Sequence, residues 1–176
     1  MNAAGPLAYY LSLYRYIHGE GATIPFPASE ASWKSKHNDS SATIIAHFEI
    51  YAALNPDKAH GRAFNIADGE VLTWETKWPG IASYFGLKGV SPDGKALPPD
   101  EFFKENASVW EEVVKKYGLA RREETSWWFL KVILGAGMDR PFDLTAVRNI
   151  GFTEKISTVE GYTKVFDKMR EVKYIP

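Results

Sequence analysis

Hydrophobic positions along this chain follow two rhythms, a helical one and a shorter alternating one. The segment PLAYYLSLYRYIHGEG (Pro6–Gly21) predicts a helix that starts at Pro6 and stops at Gly19. Proline suits a first helical position, and glycine suits a C-terminal stop. Apolar residues surround most of this helix, which predicts burial on several sides. ATIPFPAS (Ala22–Ser29) reads as a short strand whose prolines confine it to an edge or a site rim. The stretch around Trp33 reads as polar loop. Asp39 is the expected cap of a helix with Ile44, Ile45, Phe48, Tyr51 and Ala52 on one face, ended by Asn55-Pro56. RAFNIA (Arg62–Ala67) predicts a strand, and Asp68-Gly69 its turn.

Thr73 caps the next predicted helix, in which Trp74, Trp78, Ile81, Tyr84 and Phe85 recur at helical spacing. Pro79 either kinks that helix or marks its start. Ser91–Glu101 is rich in turn residues and reads as a connector. Ser108 and Glu111 have the spacing of a capping box for VWEEVVKKYG, closed by Gly118. TSWWFLKVILGAG reads as a buried helix, with a strand as the competing assignment. Asp143 caps a short helix that ends at Gly151. Ser157 and Glu160 form a second capping-box pattern before the last helix, whose Val159, Tyr162, Phe166 and Met169 face inward. The pattern is a single helix-rich α/β domain with two or three strands.

Composition narrows the function classes. The 176 residues can bury a real core, and 45% of them are apolar. A net charge of −1, with 21 basic and 22 acidic residues, offers no electrostatic footprint for nucleic acid. There is no cysteine, which excludes disulfides, thiolate metal sites and thiol catalysis. The apolar run Leu7–Ile17 is too short to span a bilayer, and no basic region precedes it as in a signal peptide. A cytoplasmic protein with no membrane partner is the expectation.

Candidate chemistry is sparse. His18, His37, His47 and His60 lack metal-ligand spacing, and His47 reads as a half-buried structural residue. Glu49, on the same helix, reads as a solvated face. Gly135 and Gly137 in LGAGMDR suggest a dinucleotide loop, but a third glycine is missing and a proline follows. Tyr84 and Lys88 fit a Tyr-x-x-x-Lys pattern, which needs both residues one turn apart on one helix. Gly86 interrupts that helix, so a core tyrosine and a solvated lysine are the better reading. What stands out is aromatic surface: Trp33, Trp74, Trp78, Trp110, Trp127, Trp128 and Phe129. Most of it reads as core, and part of it could wall an apolar pocket.

The ordered blocks carry a resemblance. IPFPAS, a following tryptophan, and NDSSATIIAHFEIYAALNPDKAHGRAFNIADGEVLTWETKWPGIASYFG resemble the carboxyl-terminal half of the progesterone 5β-reductase/iridoid synthase-like (PRISE) group of extended short-chain dehydrogenases. The similarity continues through VWEEVVKKYGL, SWWFLKVILG and FDKMREVKYIP, and so spans essentially the whole chain. LTAVRNIGF (Leu144–Phe152) departs from the family pattern, which puts the local pocket rim in doubt.

The resemblance implies the C-terminal, helix-rich part of a Rossmann-type fold, from an NADPH-dependent reductase of activated C=C bonds in enones and enals. In that group the glycine-rich loop and the catalytic tyrosine and lysine lie in the amino-terminal half. The expectation for this chain is therefore a substrate-side half, residues 1–176, with no cofactor of its own and no catalytic residue. Two substrate-binding residues carry over from the resemblance. Asn2 precedes the buried helix near substrate and nicotinamide, and Phe129 walls the substrate pocket. The expected partners are an apolar small-molecule substrate and either a second copy or a full-length relative. Three readings stay open: a shortened reductase inactive alone, a cofactor-free isomerase or cyclase, and a non-catalytic partner of a relative.

Overall fold

The computed structural model describes residues 2–69, 71–120 and 125–176. Helix α1 (Ala4–His18) is the centre of the molecule, with every residue from Ala4 to Leu13 buried. A helix that is apolar nearly all round has no solvent face to offer, so neighbours must surround it. Strand β1 (Thr23–Pro25) follows, then helix α2 (Glu30–Lys34), α3 (Ala42–Leu54) and α4 (Pro56–Ala59). Next come α5 (Trp74–Tyr84), strand β2 (Lys88–Val90), α6 (Pro99–Glu105) and α7 (Ala107–Tyr117). The described chain ends with α8 (Trp127–Gly135), α9 (Thr145–Asn149) and α10 (Thr158–Glu171). Helices α6, α7, α8 and α10 pack around α1, while α5 lies between β2 and α10. No helix is long and apolar enough to cross a membrane among the described residues.

The two strands form a parallel sheet with Ile24 opposite Gly89. Three residues per strand cannot hold such a sheet by ladder bonds alone. Helix α5 supplies the rest. The Trp78 indole donates to the Ile24 carbonyl at 3.2 Å, fastening α5 to β1. A Cβ on Gly89 would lie 2.8 Å from the Trp78 ring, so only glycine lets β2 approach this closely. On the opposite side Gly80 admits Val159 of α10.

Local chemistry set several boundaries as expected. Thr73 caps α5 and exchanges bonds with Thr76, so the helix starts before Pro79 and runs through it. Gly118 closes α7 in the left-handed conformation. The 127–135 segment is a helix, Asp143 accepts from Thr145 N at 2.8 Å, and Gly151 follows α9 with φ +99°.

Other expectations fail for identifiable reasons. Ala22–Ser29 contracts to three strand residues, because Phe26 N is the last ladder donor, to Val90 O. Arg62–Ala67 is not a strand; among the described residues no backbone partner lies alongside Ala63–Ile66. Helix α2 arises where a loop was expected, because Ser29 caps it and Trp33 is buried beneath it. Helix α6 occupies the end of the expected connector, started by Pro98 and Pro99. Strand β2 was unanticipated. Ser41, not Asp39, caps α3. Ser108 lies inside α7 and not at its cap, and Ser157 makes no side-chain cap bond while Glu160 pairs with Lys164.

Asp39 has a different use. Its carboxylate pairs with the Lys77 ammonium, which is 1% exposed and lies 3.7 Å above the Trp74 ring. Burial lowers the lysine's pKa, and Asp39 opposes that shift. Asp68 completes the seam: Oδ1 accepts from Ser41 N at 2.8 Å, and Oδ2 accepts from the Thr158 hydroxyl at 3.2 Å. One carboxylate thereby joins the starts of α3 and α10. Burial raises its pKa against these bonds. His37 is also buried; its Nδ1–H donates to the Ser35 carbonyl at 2.9 Å, and Nε2 has no partner. Burial, then the Lys77 charge, lowers the His37 pKa to about 4.

Two predictions follow from this seam. Lys77→Met should cost about 3 kcal/mol, because it leaves the Asp39 carboxylate without its cation. In urea denaturation, combining Lys77→Met with Asp39→Asn should cost at least ~1 kcal/mol less than the sum of the single changes. Strict additivity would show that the pair is uncoupled.

His37 is held neutral by the fold, with a folded pKa below its unfolded value of about 6.5. The unfolded chain therefore binds more protons between those values. The histidine's contribution is intact above pH ~6.5 and is lost as pH falls toward 4, by about 3 kcal/mol in all. Asp68 works in the opposite sense, so the comparison must be made against a variant. His37→Asn should flatten the fall of melting temperature between pH 7 and 4; an unchanged slope would remove His37 as its source.

Candidate functional site

The aromatic block at the start of α8 is divided by helical geometry. Trp127, Leu130 and Leu134 fall on the inward face, and Leu130 and Leu134 are fully buried. Trp127 stacks on Phe103 with ring centroids 4.9 Å apart, and Phe103 packs in turn on Tyr9 and Trp110. These rings fix the helix. Trp128 and Val132 lie on the outer face, and Trp128 is 66% exposed. Phe129 sits between the faces, half-buried and outside the main core cluster. An aromatic in this position costs solvent exposure without contributing full core packing. It fits a wall better than an interior.

Asn2 stands at the entry of α1. Its Oδ1 accepts from Ala4 N at 2.7 Å and from Gly5 N at 3.3 Å, satisfying two of the helix's free donors. The residue is exposed, and its Nδ2 has no partner among the described residues. The carboxamide oxygen is thus committed to the helix, which fixes the orientation of the remaining amide donor. Helices α1 and α8 pack together, so Asn2 and Phe129 belong to adjacent elements.

The formal motifs resolve into structure. Tyr84 ends α5, and its hydroxyl bonds Asp167 at 2.6 Å; burial and that bond push its pKa up to about 12. A catalytic phenol needs the opposite shift. Lys88 lies beyond Gly86 on β2, exposed and off the helix. Gly135 ends α8 and no strand precedes it, while Gly137 closes against Ala31 of α2. His47 pairs with Glu154 at 2.7 Å on the surface, and His18 stacks on Tyr14. No group of His, Asp and Glu that could hold a metal occurs among the described residues.

A wide cleft of about 430 Å³ opens between the end of α3 and residues 151–154. Ile50, Tyr51, Leu54 and Phe152 line it, with His47 and Glu154 on its rim. Neither Asn2 nor Phe129 borders it. The chain's densest polar chemistry lies elsewhere, in the buried seam of Asp39, Lys77, Asp68 and His37. Reading the sequence missed that seam. The available signal was Lys77 itself, three residues after Trp74 and four before Ile81, on the face expected to turn inward.

Comparison with known proteins agrees with this anatomy. Residues 2–176 match the family model of the PRISE-like Rossmann-fold domain. Short chain dehydrogenase ausT of Aspergillus calidoustus is 34% identical over 97% of this chain and 43% of its own length. The 3-oxo-Delta(4,5)-steroid 5-beta-reductase of Arabidopsis thaliana is 32% identical over 100% of the chain and 45% of its own length. The (S)-8-oxocitronellyl enol synthase of Nepeta racemosa is 28% identical, with coverages of 100% and 45%. The chain therefore spans a little under half the length of these relatives. It belongs to the PRISE-like Rossmann-fold family.

Proposed function

We propose that this chain is the substrate-side portion of an NADPH-dependent reductase of activated C=C bonds in enones or enals. The observation that carries the reading is the family match across residues 2–176, with an outward-facing Trp128 and a half-buried Phe129 in the aromatic block. Helix α8 would present an apolar wall to the flat, hydrophobic part of a substrate. Asn2, its oxygen held by α1, would offer an amide donor to a carbonyl oxygen. Hydride delivery and proton transfer would belong to the portion of the family fold that this chain does not span. No residue described here has the placement for either step. The chain alone would then lack reductase activity and bind only apolar metabolites.

NADPH titrated into residues 2–176 alone should give no measurable heat, because no strand–glycine loop–helix phosphate site is formed. A micromolar dissociation constant would overturn the assignment. The wall is tested by joining the chain to the amino-terminal portion of the Nepeta racemosa relative and following enal-dependent NADPH oxidation. Phe129→Ala in that fusion should weaken substrate binding by roughly 1–3 kcal/mol. Its cost in stability should be small beside that of Trp74→Ala, about 3–5 kcal/mol for a fully buried ring. If Phe129→Ala melts the protein while the folded fraction binds substrate normally, the ring is core and the wall lies elsewhere.

A further inference from the structure

Residues 62–67 have the pattern of a strand without a ladder. Phe64 and Ile66 turn inward, while Ala63 and Asn65 are exposed. That is the alternation of a pleated segment with one covered face. Phe64 packs edge-to-face on Phe48 of α3 at 5.4 Å, and Ile66 joins the same cluster. Yet among the described residues no backbone N–H or C=O from Ala63 to Ile66 has a backbone partner. One bond from the Ser40 hydroxyl reaches the Ile66 carbonyl. A row of free donors and acceptors beside an ordered apolar face is a template for strand addition.

A second observation points the same way. Helix α3 buries only Ile44. Its outer face carries Ala42, Ile45, Ala46, Glu49, Ile50, Ala53 and Leu54, at helical spacing and all exposed. Ile50 is 59% and Leu54 76% exposed. Six of these seven residues are apolar, as in a helix covered on both sides.

We propose that residues 62–67 and the outer face of α3 are the docking surface for the rest of the family's parallel sheet, with 62–67 pairing as its terminal strand. The occupant is the amino-terminal portion of a family member, in the same or another polypeptide. Two facts select it. More than half of each relative's length lies outside this match, and a Rossmann-type portion presents both a strand edge and covering helices. The inference rests on the reductase reading, and it names the surface through which that portion is engaged.

Amide hydrogen exchange on the free chain and on the fusion described above tests it. In the dilute free chain, amides 63–66 should exchange at nearly unprotected rates, whereas in the fusion they should slow by roughly 100-fold or more. Ile50→Glu should leave the free chain's melting unchanged and lower the fusion's melting temperature, while Lys115→Glu on α7 should do neither. Slow exchange at 63–66 in the dilute monomer would overturn the proposal, because the edge would already be satisfied. Protection that grows with concentration alongside a doubled mass would also overturn it and name a second copy as occupant. An active fusion with unprotected 63–66 amides, or one indifferent to Ile50→Glu, would sink the docking surface and leave the reductase reading standing. A protected, folded but inactive fusion would support the surface and remove the activity instead. If the fusion does not fold, the free-chain arm decides alone: fast, concentration-independent exchange supports an open edge, and either protected outcome ends the proposal.

Discussion

The Lys77–Asp39 pair constrains more of this structure than any single apolar contact. An ammonium with 1% exposure is tolerable only where an anion and polarisable surface meet it, and both demands are geometric. Trp74 supplies the surface from one turn earlier on α5, and Asp39 supplies the anion from the segment that leads into α3. Asp39 also accepts, through its carbonyl, the backbone N–H of Asp68. Asp68 then holds the first turns of α3 and α10 through Ser41 and Thr158. The main core and the smaller Ile44–Val147–Phe152 cluster are thus joined by a polar seam. Sliding α5 by one residue would leave a buried charge alone, whereas the same slip between apolar faces would cost only repacking. The Tyr162 phenol, kept neutral by burial and by the nearby Asp39 and Asp68 carboxylates, closes the seam from α10.

What the sequence disclosed follows from how local each cause is. Thr73, Gly118 and Asp143 act through bonds to residues close in sequence, and their roles are readable from spacing. Gly19 and the apolar girdle of α1 are equally local signals. Asp39 and Ser41 are both good caps, and the choice between them was made by Lys77, thirty-eight positions from Asp39. Ser157 lost its reciprocal bond because Glu160 found Lys164 on the same helix face. Strand β2 is invisible locally: Lys88-Gly89-Val90 becomes a strand because Gly89 fits against Trp78 and Ile24 lies opposite. Of the candidate site, the aromatic wall was legible as a Trp-Trp-Phe block, but periodicity alone did not decide which rings face inward. Trp127 points inward because Phe103 and its neighbours offer a stack.

The same logic separates Tyr84 from a catalytic tyrosine. A phenol works as an acid near neutral pH when a cation lowers its pKa. Here Arg170 does lie over the ring at 4.4 Å, but partial burial and the Asp167 bond outweigh it. The ring belongs to the joint between α5 and α10, where Phe85 and Phe166 complete an aromatic cluster. A three-residue gap in sequence says nothing about function until the intervening backbone is known, and Gly86, at φ +71°, sends that backbone out of the helix.

Helices α1 and α3 carry similar sequence signatures and meet opposite fates. Both are apolar around most of their circumference, the composition of a helix with no solvent face. α1 is enclosed by α6, α7, α8 and α10, and ten consecutive residues are buried. α3 is covered on one side only, by Phe64, Phe152 and their neighbours, and buries a single residue. Ser41 and Asp68 fix where it starts, so its position does not depend on a second layer. The strand-patterned residues beneath it likewise keep their place through Phe64 and Ile66, not through ladder bonds. Side-chain anchoring on one face can therefore hold a helix and a strand in a sheet-ready arrangement before the sheet is present. The hydrogen bonds and apolar contacts still unmade are then those that a partner of matching architecture would supply.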